Sequence, residues 1–162
     1  MNGTSFVYEA GDEAATALLG GVLASALPVP SVVALRGTLG AGKTALVRAI
    51  AQACGIAPRE VSSPTFVLLH VYRGRTDLFH FDAYRLTGEH EFRELGVEEY
   101  FDGAGISLVE WADRVRGCLP EEHLDIEIRV TGPTSRRFTL TAAGAKYVDA
   151  VRHIAAKLPA GG

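Results

Sequence analysis

The sequence predicts an α/β protein, a mixed sheet flanked by helices and folded as a single domain. Three observations lead there. Val32-Val33-Ala34-Leu35 and Ile106-Ser107-Leu108-Val109 are short apolar runs of the kind found in buried parallel strands. Helical patterns are interleaved with the strands rather than segregated from them. The chain has 162 residues, 48% of them hydrophobic and 22% charged, which suits one ordinary core.

Phe6 to Tyr8 reads as a short strand. Asp12 can cap a helix whose apolar stripe is Ala17, Leu18, Val22, Leu23 and Leu27, and Pro28 and Pro30 end it. After the first apolar run comes the glycine-rich segment Gly37 to Thr44. Ala45 to Cys54 is helical, with Gly55 where a C-terminal glycine cap belongs. Ser62 to Thr65 is a loop. Phe66 to Tyr72 and Leu78 to Asp82 read as strands joined by a turn at Arg73-Gly74-Arg75, a hairpin. Glu89 to Phe101 is a helix broken near Gly96, and Asp102 to Gly105 is a turn before the second apolar run. Leu124 to Val130 and Arg137 to Thr141 are partner strands around Gly132-Pro133. Ala145 to Leu158 closes the chain as an amphipathic helix with Val148, Val151, Ile154, Ala155 and Leu158 on one face. The expected division is a domain over residues 1–158 and a loose tail over 159–162.

The net charge of −3 weighs against binding nucleic acid through a basic surface of this chain's own. No apolar run approaches the roughly 20 residues of a membrane helix. Met1 to Ala10 does not read as a secretory leader. Cys54 and Cys118 have no metal or redox spacing and read as reduced, buried thiols. The expectation is a cytoplasmic protein without membrane contact.

Gly37-Thr38-Leu39-Gly40-Ala41-Gly42-Lys43-Thr44 matches G-x-x-x-x-G-K-[ST] in full, between a buried strand and a helix. This is the phosphate-binding P-loop. Glycines let the backbone curl so that successive N–H groups face phosphate oxygens. The helix beginning near Lys43 adds its positive dipole end. Lys43 supplies charge for the β- and γ-phosphates, and the Thr44 hydroxyl is placed for Mg²⁺. The fold therefore sharpens to a P-loop NTPase-like sheet. Such a loop needs a carboxylate for metal and water, and Asp82 and Glu110 each end an apolar strand, where ligands of α/β sheets sit. Thr65, on the loop after the P-loop helix, could present a hydroxyl to the metal and γ-phosphate.

The guanine-reading Asn-Lys-x-Asp motif is impossible, because Asn2 is the only asparagine. ATP is favoured by elimination, with Phe6 to Thr16 as the expected neighbour of adenine. Arg114, Arg116, Arg136 and Arg137 are scattered and read as solvated. Without an insertion long enough for a lid, a stand-alone ATPase or switch fits better than a small-molecule kinase. The kinase and a non-catalytic nucleotide-sensing module stay open as alternatives.

The P-loop, then Ser63-Pro64-Thr65-Phe66, His80-Phe81-Asp82-Ala83-Tyr84-Arg85-Leu86 and Val109-Glu110-Trp111 occur in an order and spacing that resemble the TsaE family (older name YjeE). The resemblance covers roughly Glu13 to Thr141. It implies an ATPase subunit, using ATP with Mg²⁺, of the machinery that makes N6-threonylcarbamoyladenosine at position 37 of tRNA. It further implies weak hydrolysis alone and stimulation by the partners TsaB and TsaD, with tRNA met only through that complex and the chain monomeric when alone. By motif, Lys43 and Thr44 serve phosphate and Mg²⁺, Thr65 is the switch-like threonine, and Asp82 and Glu110 are the acidic pair for metal and hydrolysis. Trp111, Tyr84 and Arg85 belong to the functional surface or brace the site. His80 shares a strand face with Asp82 and either orients the site or is a satisfied buried histidine. Thr38 stands where many relatives carry an acid.

Overall fold

The computed structural model describes residues 4–38, 40–64 and 67–159. Among these, seven strands form one mixed sheet: β1 (Ser5–Ala10), β2 (Ser31–Arg36), β3 (Leu69–Tyr72), β4 (Asp77–Asp82), β5 (Gly105–Glu110), β6 (His123–Val130) and β7 (Arg136–Ala143). Their spatial order is β1-β7-β6-β2-β5-β4-β3. β2 lies in the middle, parallel to both β5 and β6, and β5 is parallel to β4. The outer pairings β3–β4, β6–β7 and β7–β1 are antiparallel. The predicted α/β class, the hairpin and the central apolar strands are all present.

Strand alternation divides the core into two layers. Val33 and Leu35 face the layer built with α1 (Glu13–Ala26), α2 (Lys43–Ala53) and α5 (Ala145–Lys157). Val32 and Ala34 face the layer built with α3 (Glu89–Arg93), α4 (Val97–Phe101) and Val115. In that second layer Phe81 meets the rings of Phe92, Tyr100 and Phe101 at 5.5–5.7 Å between centroids. Gly96, at φ +73°, breaks the segment into α3 and α4 where the sequence predicted.

α1 departs from the expected stripe. Ala17 and Leu18 are exposed and Leu19 and Gly20 are buried in their place, while Leu23 and Leu27 are buried as expected. The cause is the crossing with α2. A Cβ on Gly20 would lie 2.4 Å from the Ala49 Cβ, so bare backbone at Gly20 sets the contact face. Asp12 caps α1 as predicted, accepting from Ala15 N–H at 2.9 Å. α2 ends in a Schellman arrangement: Ile56 N–H donates to Ala51 O and Gly55 N–H to Gln52 O, with Gly55 at φ +84°. The β3–β4 turn docks on that helix end through the Arg75 guanidinium on Ala53 O, where it also meets the negative end of the helix dipole.

β3 begins at Leu69 rather than at Phe66. Val67 and Leu68 form a bend, with Leu68 at φ +70°. Phe66 lies outside the described residues, as do Leu39, Thr65 and the end of the expected tail, Ala160 to Gly162. Both cysteines are free thiols. Cys54 is buried and Cys118 half-buried, which corrects the expectation of two buried ones.

Candidate functional site

The site gathers at the C-terminal ends of the parallel strands. β2 runs straight into the P-loop, and the parallel register β4–β5 sets Asp82 beside Glu110. Each glycine of the loop has its own task. Gly40 (φ +80°) and Gly42 (φ +110°) adopt backbone conformations that side chains disfavour. Gly37 instead answers a close approach, since a Cβ there would lie 2.8 Å from Ile128 O. α2 starts at Lys43, so the helix N-terminus opens onto the loop.

A cavity of about 370 Å³ lies over this junction, lined by Gly40, Gly42, Lys43, Thr44, Ala45, Ser63, Asp82, Tyr84, Glu110 and Trp111. Within it, Thr44 Oγ1 donates to Glu110 Oε2 at 2.8 Å. His80 Nε2 lies 2.6 Å from the same oxygen. Asp82 is held by other groups: Ser63 Oγ donates to Oδ2 at 2.7 Å and Tyr84 N–H to Oδ1 at 2.8 Å. Asp82, Glu110 and Lys43 are all buried.

Lys43 Nζ donates to Gly37 O and Thr38 O at 2.7 and 2.9 Å and sits 4.0 Å from the centre of the Trp111 ring. Burial pushes the Lys43 ammonium below its ordinary pKa, and the carboxylates of Glu110, Asp82 and Asp113 push back upward. The lysine's charge is thus held beside the loop in which phosphates would sit.

Trp111 has φ +58°, the left-handed region, at the point where β5 turns into the 3-10 helix Ala112–Cys118. That turn swings the indole back over the cavity. Tyr84 packs on it with ring centroids 4.9 Å apart, and the Arg114 guanidinium lies 5.4 Å from the Tyr84 ring and 5.8 Å from the Trp111 ring. Tyr84 is exposed at the cavity edge, and Arg85, next to it in sequence, is exposed as well.

A second cavity of about 310 Å³ shares Gly42 and Ala45 with the first and is bounded by Glu13, Thr16, Arg48, Pro133, Arg136 and Phe138 among others. Arg136, read from the sequence as solvated, is half-buried here. Its guanidinium donates to Ala41 O in the P-loop at 2.9 Å and to Gly132 O and Ser135 O at 3.2 and 2.8 Å. It braces the loop from the β6–β7 turn.

A profile of the family described as threonylcarbamoyl adenosine biosynthesis protein TsaE matches residues 10–138. The chain belongs to the TsaE family. The tRNA threonylcarbamoyladenosine biosynthesis protein TsaE of Treponema pallidum is 42% identical over 125 residues, covering 77% of this chain and 92% of the relative. The protein of that name from Bacillus subtilis is 44% identical over 117 residues, 72% of each chain. The crystal structure of Bacillus subtilis YdiB superposes with a TM-score of 0.80 at 31% identity, covering 96% of this chain and 97% of that one.

The blocks that carried the TsaE resemblance converge on one cavity in space. Lys43, Thr44, Asp82, Glu110 and Trp111 line it together, with Tyr84 at its edge. Leu39 and Thr65, also predicted for this site, lie outside the described residues. Sequence reasoning missed the tasks of Ser63, Arg114 and Arg136. Ser63 had a signal, standing before the proline of a loop already singled out. Arg136 had none, because its partner Ala41 is far away in sequence and offers only backbone.

Among the described residues no helix is long and apolar enough to cross a membrane.

Proposed function

We propose that this chain is an Mg²⁺-dependent ATP-hydrolysing subunit of the system that forms N6-threonylcarbamoyladenosine in tRNA, the process named for its relatives. Its action is on a TsaB–TsaD pair in the cytoplasm, with tRNA held by those partners. One observation carries the hydrolytic reading: the P-loop threonine meets a buried carboxylate at 2.8 Å, with a second buried carboxylate beside it on the neighbouring strand.

The donor set fits a hard cation. Thr44, Glu110 and Asp82 offer only oxygen, and all three line one cavity. Mg²⁺ keeps waters and shares itself with substrate phosphates, so a few protein oxygens suffice to hold it. When bound, it neutralises charge developing on the phosphates. Thr44 and Glu110 would hold it, since their side chains already touch. Asp82, oriented by Ser63 and Tyr84 N–H, is then the carboxylate left to direct water. Lys43 and the loop N–H groups hold the phosphates, so catalysis is positional and electrostatic. The base falls to the second cavity, bounded in part by Glu13 and Thr16.

The test follows the γ-phosphate of labelled ATP with and without purified TsaB–TsaD and tRNA. Label released as inorganic phosphate, faster with the pair, is the expected result. Label moving to a metabolite would establish a kinase, and binding without release even with the pair would establish a sensing module.

A further inference from the structure

His80 is wholly buried on β4, on the same strand face as Asp82. A histidine placed there only for packing should have both ring nitrogens satisfied. This one does not. Nε2 meets Glu110 Oε2 at 2.6 Å, and Nδ1 has no hydrogen-bond partner among the described residues. A carboxylate acting as acceptor in this contact calls for the Nε2–H tautomer of His80. Nδ1 then keeps a lone pair, which is cheaper to bury unpaired than an N–H. Phe or Leu would fill this core position without leaving a polar atom stranded. The cost is offset by what the other nitrogen does.

We propose that His80 is a positioning residue for Glu110. This rests on the ATP-hydrolysing reading of the cavity and adds to it a buried support for the carboxylate. Glu110 Oε2 receives one donor from the P-loop, Thr44 Oγ1, and one from the sheet interior, His80 Nε2–H. Thr44 belongs to the loop that takes the nucleotide, so its hydroxyl has a second use there. His80 is buried in the sheet, and its hydrogen bond goes to Glu110. It therefore keeps Glu110 fixed when Thr44 turns its hydroxyl to other work. The side chain's effect runs through Glu110, not through nucleotide.

The test uses the full chain and two substitutions. His80→Leu removes the donor, and His80→Gln restores an N–H at the end of an unbranched side chain. The expected result is that His80→Leu binds ATP with wild-type affinity, because the loop and Lys43 are untouched, while kcat falls about tenfold to a hundredfold. His80→Gln recovers most of that loss. Long-range ¹H–¹⁵N NMR of the nucleotide-free protein supplies a readout independent of turnover: His80 should show the Nε2–H tautomer, and Glu110→Gln should shift that proton upfield. Wild-type kcat in His80→Leu would overturn the proposal, as would an Nδ1–H tautomer. Equal loss of ATP affinity and melting temperature in both variants would overturn it in favour of a packing role. A wild-type chain that released no phosphate under any condition would instead overturn the ATPase reading, and the tautomer measurement would still decide the contact with Glu110.

Discussion

A buried ammonium is costly unless acceptors surround it, and Lys43 has two carbonyl oxygens, an indole face and three nearby carboxylates to share its charge. Those partners hold it where phosphate would come. Lys43→Ala should therefore lower ATP turnover about a hundredfold or more, as loss of a charge-stabilising donor does. Under the proposed ATPase reading, Glu110→Ala should do the same by removing the partner of Thr44 and a proposed Mg²⁺ ligand. Phosphate release by either variant at the wild-type rate would remove these residues from the catalytic machinery. Trp111 offers a direct reporter, being the chain's only tryptophan and lying over Lys43 in the cavity. Adding ATP with Mg²⁺ should change its fluorescence, and Lys43→Ala should weaken the apparent affinity of that titration. Silence of the signal at saturating nucleotide would show that the phosphates sit elsewhere.

At the scale of elements, two glycines decide how α1 and α2 lie. Gly20 permits a crossing so close that any Cβ would collide with Ala49 and the α2 backbone. Gly20→Ala should destabilise the fold by about 1–3 kcal/mol, the ordinary cost of overpacking, read by urea denaturation. Gly55 ends α2 at φ +84°, and Gly55→Ala should cost about 1–2 kcal/mol for the left-handed conformation. An unchanged midpoint in either variant would show that the helix pair can shift without penalty. Both glycines stand in sequence where a helix pattern contains or ends on glycine. The cap at Gly55 was legible from that alone. Gly20 was not, because its meaning depends on what crosses it, and for the same reason the first half of the α1 stripe falls on Leu19 and Gly20 and not on Ala17 and Leu18.

The whole molecule places several acidic groups in poor solvent. Burial raises the thiols Cys54 and Cys118 above their ordinary 9.0 and the phenols Tyr8 and Tyr72 above 10.0. For each, the folded state holds its proton longer than the unfolded chain. The stability they contribute is full below pH 9.0 and is lost as pH rises past 9.0 and then 10.0. Lys43 runs the other way. Its lowered pKa means that the cost of burying its charge is relieved as pH rises through that lowered value. The contribution of one thiol can be read apart from that of the lysine: above pH 9.0 the unfolding free energy from urea titrations should fall less steeply with pH in Cys54→Ala than in the unsubstituted chain. An equal or steeper fall in Cys54→Ala would contradict the predicted sign.

Local pattern was enough for the P-loop, the helix after it, the hairpin and the two apolar central strands. Each is encoded over a few neighbouring residues by glycine placement, side-chain period and β-branching, which act on the backbone at short range. It was also enough to name Asp82 and Glu110 as strand-end acids. It could not say which of them meets Thr44, because that depends on the parallel register of β2, β4 and β5, a relation between segments as far apart as residues 44 and 110. The contacts of Ser63 and Arg136, and the partner of His80, were hidden for the same reason. Each acts by a hydrogen bond to an atom distant in sequence, and such bonds exist only once the packed sheet has fixed who lies beside whom.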